Sequence, residues 1–154
     1  IYEPYPPESE TNKISNYKNI CLTDKIYSKT YNAVTCIDVL EHLHNPINTL
    51  ITIADSLKIG GEVYFANCFS PVILCHLPKT FHLRYTFRFV CFLIGLRYIE
   101  KCSGSHSHIY RKYSNKNVPN YILKIFIALS KLIYPLLNQA EKVLRYIYAI
   151  IKKY

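Results

Sequence analysis

Apolar residues along this chain switch between two spacings, and the switches outline its elements. Residues 31–37, "YNAVTCI", form a short apolar and β-branched run that stops at Asp38, which predicts a buried strand with its carboxyl end at that acid. From Pro46 the spacing becomes helical: Ile47, Leu50, Ile51, Ile53, Ala54 and Leu57 share one face. Pro46 suits the first turn, and Gly60-Gly61 is read as closing the helix and turning the chain with positive φ. "EVYFANCF" (62–69) then reads as a strand, "TFRFVCFLIGL" (86–96) as a helix, and "RYIEKC" and "HIYRKY" as two last strands, with an earlier one at "NICL" near residue 20. Strand, helix and strand in this rhythm predict an α/β fold with a parallel, doubly wound sheet. The last forty residues differ. Lys124, Lys131, Asn138, Arg145 and Lys152 recur every seven positions, a narrow polar stripe on one or two helices interrupted at Pro135. Two regions result: residues 1–116, and a basic amphipathic helical extension at 117–154.

Composition narrows the class. The chain has 154 residues, half of them apolar, enough for one domain with a real core and too apolar for a disordered chain. Its six cysteines show no CxxC pair and mostly sit in apolar runs, so they are read as reduced core residues of a cytoplasmic protein. The longest unbroken apolar run, residues 89–96, is far short of a membrane span, which needs about 18 residues. There is no methionine, and the opening "IYEPYPPE" reads as a strand end running into a turn, so a fragment is expected. Charge is uneven: residues 1–60 carry five lysines against seven acids, whereas residues 61–154 carry 14 basic against three acidic side chains. That gradient suits an anionic membrane surface, nucleic acid, an acidic substrate or merely a solvated basic face.

The chemistry-bearing residues gather in one stretch. "YNAVTCIDVLEHLHNPINTLITIADSLKIGGEVYFANCFSP" resembles the central part of class I S-adenosylmethionine-dependent methyltransferases. There a strand ends in Asp-x-x-Glu-His and is followed by a helix, "LK-x-GG" and the next strand. Residues 80–113 are similar to that family's sixth and seventh strands and the helix between them, so the resemblance covers about residues 1–113. It implies a partial Rossmann-like sheet with helices on both faces. The implied activity is transfer of a methyl group from S-adenosylmethionine to an oxygen, nitrogen or carbon atom of an unidentified small-molecule or other acceptor. The family's glycine-rich cofactor loop would lie before Ile1, so these residues alone are expected to bind the cofactor poorly and to be inactive alone. A non-catalytic remnant that uses its basic helices to bind a membrane or a partner is the alternative.

The resemblance also assigns residues. Asp38 at its strand end, Glu3 in "IYEP" and Asp24 in "LTDK" match the family's cofactor-binding acids, since carboxylates accept hydrogen bonds from amines and ribose hydroxyls. Glu41, His42 and His82 are the catalytic candidates. For Glu41-His42 three roles stay open: lining the acceptor pocket or acting as a general base, a structural role, or holding a divalent metal with Asp38 and His82, as similar segments do in some relatives. No metal ligand is assigned. His106 and His108, at strand alternation, are read as a polar strand face. "HLRYTFRF" interleaves basic and aromatic residues but is read as an acceptor-pocket lid in preference to a nucleic-acid groove. For residues 121–153, packing on protein and peripheral contact with a membrane surface both fit.

Overall fold

The computed structural model describes residues 26–103, 106–115 and 118–152. Four strands, β1 (Tyr31–Ile37), β2 (Leu57–Ala66), β3 (Leu96–Lys101) and β4 (Ser107–Lys112), form one sheet in the order β1-β2-β4-β3. Three helices accompany them: α1 (Pro46–Ser56), α2 (Leu83–Leu93) and α3 (Asn120–Ile151). The fold is α/β, as the spacing of apolar residues implies. The sheet, however, is mixed. β1 and β2 are parallel, joined through α1, whereas β4 runs antiparallel to both β2 and β3. The connection from β3 to β4 is too short for a crossover, so β4 returns as a hairpin partner and inserts beside β2. β3 and β4 are the strands that the resemblance equates with the family's sixth and seventh.

A single core fixes these elements. Leu50, Ile53 and Ala54 of α1, and Leu83, Phe87, Val90 and Cys91 of α2, pack with Val63, Phe65 and Tyr110 of the sheet. Phe65, Phe87 and Tyr110 meet edge to face, with ring centroids 5.2 to 5.9 Å apart. α1 begins as its sequence predicts, with Pro46 in the first turn and the Asn45 side chain accepting a bond from the Asn48 N–H.

The glycine pair does something other than expected. β2 starts at Leu57, so Gly60 and Gly61 lie inside it. The register jumps there from Tyr31 opposite Leu57 to Ala33 opposite Glu62, and residues 58–61 bulge out. Gly60 adopts φ +84°. Gly61 serves by close approach instead: a Cβ there would stand 3.0–3.1 Å from the carbonyl oxygens of Lys58, Asn32 and Tyr31.

α3 is one continuous helix of 32 residues with Pro135 inside it, not two helices broken at the proline. It runs antiparallel to α2. Phe126 packs on Phe89 (4.6 Å between centroids), Tyr134 lies against Phe81 and Tyr85, and Glu141 accepts bonds from Arg84 and Tyr85. By length and mean hydropathy α3 could cross a membrane. It contains no long unbroken apolar run, because the polar positions recurring every seven residues divide it. Of the cysteines, Cys36 and Cys91 are core residues as expected, but Cys75 is exposed.

Candidate functional site

Strand direction decides which groups meet. β1 and β2 are parallel and in register at Ile37 and Ala66, so their carboxyl ends lie side by side. Antiparallel β4 starts opposite Ala66 at Ser107, which brings His106 to the same end of the sheet. This is where ligands bind in open α/β sheets. Asp38 is the first residue past β1. Its N–H extends the ladder by donating to the Ala66 carbonyl (2.8 Å), and its own φ of +49° then turns the chain, leaving the side chain exposed. Asp is among the few residues that tolerate this left-handed conformation, at a cost of about 1 kcal/mol.

A one-turn 3₁₀ helix, Leu40–His42, follows. Glu41 on it is fully buried, and both carboxylate oxygens are engaged: Oε2 accepts from Asn67 Nδ2 (2.8 Å) and Oε1 from the Cys68 N–H (2.9 Å). Asn67 Oδ1 in turn faces Cys36 Sγ at 3.9 Å, and the Glu41 carbonyl accepts from the Leu77 N–H (2.9 Å). Glu41 thus fastens the loop that follows β2 to the turn that follows β1. Burial, then the nearby Glu41 charge, pushes the Cys36 thiol up to about 12, so it stays protonated and unreactive. Burial likewise raises the Cys68 thiol.

His42, on the same turn, is exposed. Its Nδ1 lies 3.2 Å from the Cys75 carbonyl oxygen, and its ring meets His76 edge-on, with centroids 5.1 Å apart. Because a carbonyl can only accept, Nδ1 carries the hydrogen and the Nε2 lone pair is left free. A small cavity of about 90 Å³ opens at this end of the sheet, lined among others by Asn67, Cys68, Ser70, Arg84, His106 and His108. The two histidines picked out by strand alternation therefore share one cavity. Burial first, then the neighbouring cations, lowers the pKa of His108.

His82 stands elsewhere. It lies in a larger groove of about 720 Å³ between the start of α1 and α3, with His44, Lys79, Lys124 and Lys131. It is buried, its Nδ1 lies 2.5 Å from Ser130 Oγ of α3, and burial, with a smaller contribution from Lys131, lowers its pKa to about 4. Among the described residues, Asp38, Glu41, His42 and His82 do not form a metal-ligand cluster; the three that do are His42, Cys75 and His76. Glu3 and Asp24 lie outside the described residues. The sequence reading passed over Asn67, which is visible as the polar residue ending the apolar run of β2, and over the adjacent Cys75-His76 pair.

Comparison with known proteins gives the family. A family model described as a methyltransferase domain matches residues 2–102. The chain belongs to that methyltransferase family. It is also similar to a ubiquinone biosynthesis O-methyltransferase of Saccharophagus degradans, with 28% identity over 87 residues, 56% of this chain and 31% of the relative. Among solved structures it is similar to the T. thermophilus 16S rRNA N2 G1207 methyltransferase in complex with AdoMet and guanosine, at 16% identity and a TM-score of 0.40, over 60% of this chain and 22% of the other. The chain spans less than a third of the length of either.

Proposed function

We propose that the chain supplies part of the active site of an S-adenosylmethionine-dependent methyltransferase that methylates a hydroxyl oxygen of a small acceptor. The observation that carries this reading is the crevice at the carboxyl ends of β1 and β2. There an exposed, backbone-anchored Asp38 stands beside a turn held by the buried Glu41 clasp, in a chain that belongs to a methyltransferase family. Oxygen is favoured as the acceptor atom by the name of the curated relative.

The cofactor's sulfonium methyl is an electrophile, so the protein's task is to hold a nucleophile in line with it and to receive a proton. Asp38 suits the donor side, where its carboxylate can accept from an amine or from hydroxyls. Glu3 and Asp24 are proposed as further cofactor ligands. Glu41 acts as a positioning residue, because its two oxygens are already engaged. His42, with Nε2 free, handles the acceptor's proton at the mouth of the crevice. His82 also acts as a positioning residue, its neutral ring joining α2 to α3 through Ser130. We further propose that the outer side of α3 rests on an anionic membrane surface, which would bring a lipophilic acceptor to the enzyme.

Calorimetric titration with S-adenosylmethionine tests the reading, on this chain and on a longer form where its reading frame continues upstream. Saturable binding weakened at least tenfold by Asp38→Ala is expected, a change of about 1.4 kcal/mol. If neither form binds, the methyltransferase reading fails, and a non-catalytic scaffold working through its basic helices takes its place.

A further inference from the structure

Three soft or borderline donors converge beside the crevice without being part of the clasp that shapes it. One ligand atom from each of His42, Cys75 and His76 lies within 4.8 Å of the other two. His42 comes from the 3₁₀ turn after β1, and Cys75-His76 from the loop after β2, so the cluster joins two segments that sequence alone leaves 33 residues apart. Two separate observations mark it as more than a loop contact. First, His76 is buried, yet its Nδ1 finds no hydrogen-bond partner among the described residues, an arrangement proteins rarely leave standing. Second, the His42 Nδ1–H is committed to the Cys75 carbonyl, leaving Nε2 as the lone pair, the orientation in which metal-bound histidines are commonly held by a backbone carbonyl.

We propose that His42, Cys75 and His76 form a zinc-type transition-metal site with two imidazole nitrogens, one thiolate sulfur and an open fourth position. The donor set decides the class of ion. Nitrogen and sulfur without carboxylate select zinc-like ions over magnesium or calcium, and three protein ligands with a free position are the pattern of a reactive zinc site, as opposed to a closed structural one. In a tetrahedral site, ligand atoms at the usual zinc distances stand about 3.5 Å apart, so no pair in the cluster has to close by more than about 1.3 Å. His42 and Cys75 are both exposed, so no core packing opposes that movement. Binding deprotonates the thiol and releases its proton to solvent. It also uses the lone pair that His42 would otherwise offer to the acceptor. The ion would pin the loop after β2 to the turn after β1, the same two segments that the Glu41 clasp joins.

The site stands or falls independently of methyl transfer, because its test reads the metal alone. The metal-freed 154-residue chain is titrated with Co²⁺ and then with Zn²⁺, following the optical spectrum. One equivalent of Co²⁺ should give the intense visible bands of a four-coordinate ion with a thiolate-to-cobalt charge-transfer band in the near ultraviolet, and Zn²⁺ should displace it. Cys75→Ser should abolish the charge-transfer band, and His42→Ala should weaken binding by about tenfold or more. Both positions are exposed, so neither change should unfold the chain, which circular dichroism verifies; Cys102→Ser should leave the spectrum as it was. No stoichiometric Co²⁺ uptake overturns the site, and so does a charge-transfer band that survives Cys75→Ser.

Discussion

At the scale of single residues, two buried side chains set testable behaviour. Glu41 is a charge removed from water and tolerated because both oxygens accept bonds. Glu41→Ala strips one buried and one half-buried donor of their acceptor, and a loss of about 3 kcal/mol is expected, a fall of about 10 °C in melting temperature for a chain of this size. Glu41→Gln should lose less, about 1–2 kcal/mol. Its oxygen can still serve the Cys68 N–H, but its amide then faces Asn67 Nδ2, and Asn67 must turn over and give up Cys36. Urea unfolding of the two variants gives the order. His82 supplies a pH dependence. Its pKa is lowered in the folded chain to about 4 from an ordinary 6.5, so as pH falls the unfolded chain takes up the proton first. The contribution of neutral His82 is therefore complete above pH 6.5 and is lost progressively between 6.5 and about 4. By pH 5 the loss is about 2 kcal/mol. Unfolding midpoints measured from pH 7.5 to 5 should show this slope, and His82→Gln should flatten it whatever it does to absolute stability; an unchanged slope in His82→Gln refutes the assignment.

At the scale of elements, the sequence is legible where one local spacing decides and opaque where a partner decides. β1 and α1 fall within a residue or so of their predicted bounds, because a β-branched run and a helical apolar face are properties of the segment itself. The direction of β4 is not such a property, since its alternation reads the same either way, and only the short link from β3 makes it antiparallel. The start of β2 was obscured because a glycine pair inside a bulge looks like a glycine pair in a turn. Gly61 tests that distinction. Gly61→Ala pushes a methyl against three backbone carbonyls that cannot rotate away, and should destabilise the chain by about 1–3 kcal/mol even though Gly61 has no positive φ. A change below 0.5 kcal/mol, roughly the range of an innocuous surface substitution, would mean that the bulge relaxes freely. The site was legible to the same degree: Asp38, Glu41 and His42 stand out in one continuous stretch, whereas Asn67, Cys75 and His76 reach it only through the pairing of β1 with β2.

At the scale of the whole molecule, the open question is what covers α3. Leu123, Phe126, Ile127, Ser130, Tyr134 and Glu141 face α2 and the core, while Ile125, Leu129, Leu132, Leu136 and Val143, two positions further on and so about half a turn away, are exposed. Lys124 and Lys131 stand between these two faces, and because a seven-residue spacing drifts by about 20° per repeat, Arg145 and Lys152 turn toward the α2 side, where Arg145 pairs with Glu141. A helix that lies in a membrane interface needs this arrangement: apolar side chains in the acyl boundary, with lysines at the flank reaching up to anionic headgroups. At 32 residues the helix is about 48 Å long, room for several such side chains, each basic one contributing about 1 kcal/mol near a charged surface. Cosedimentation should therefore show the chain bound to vesicles containing phosphatidylserine, much less to neutral vesicles, and released as salt is raised. Leu132→Asp with Leu136→Asp should abolish binding without unfolding the domain, since both side chains are exposed. If the chain ignores vesicles but runs as a dimer that the same double substitution splits, a second α3 covers this face and the membrane reading is wrong.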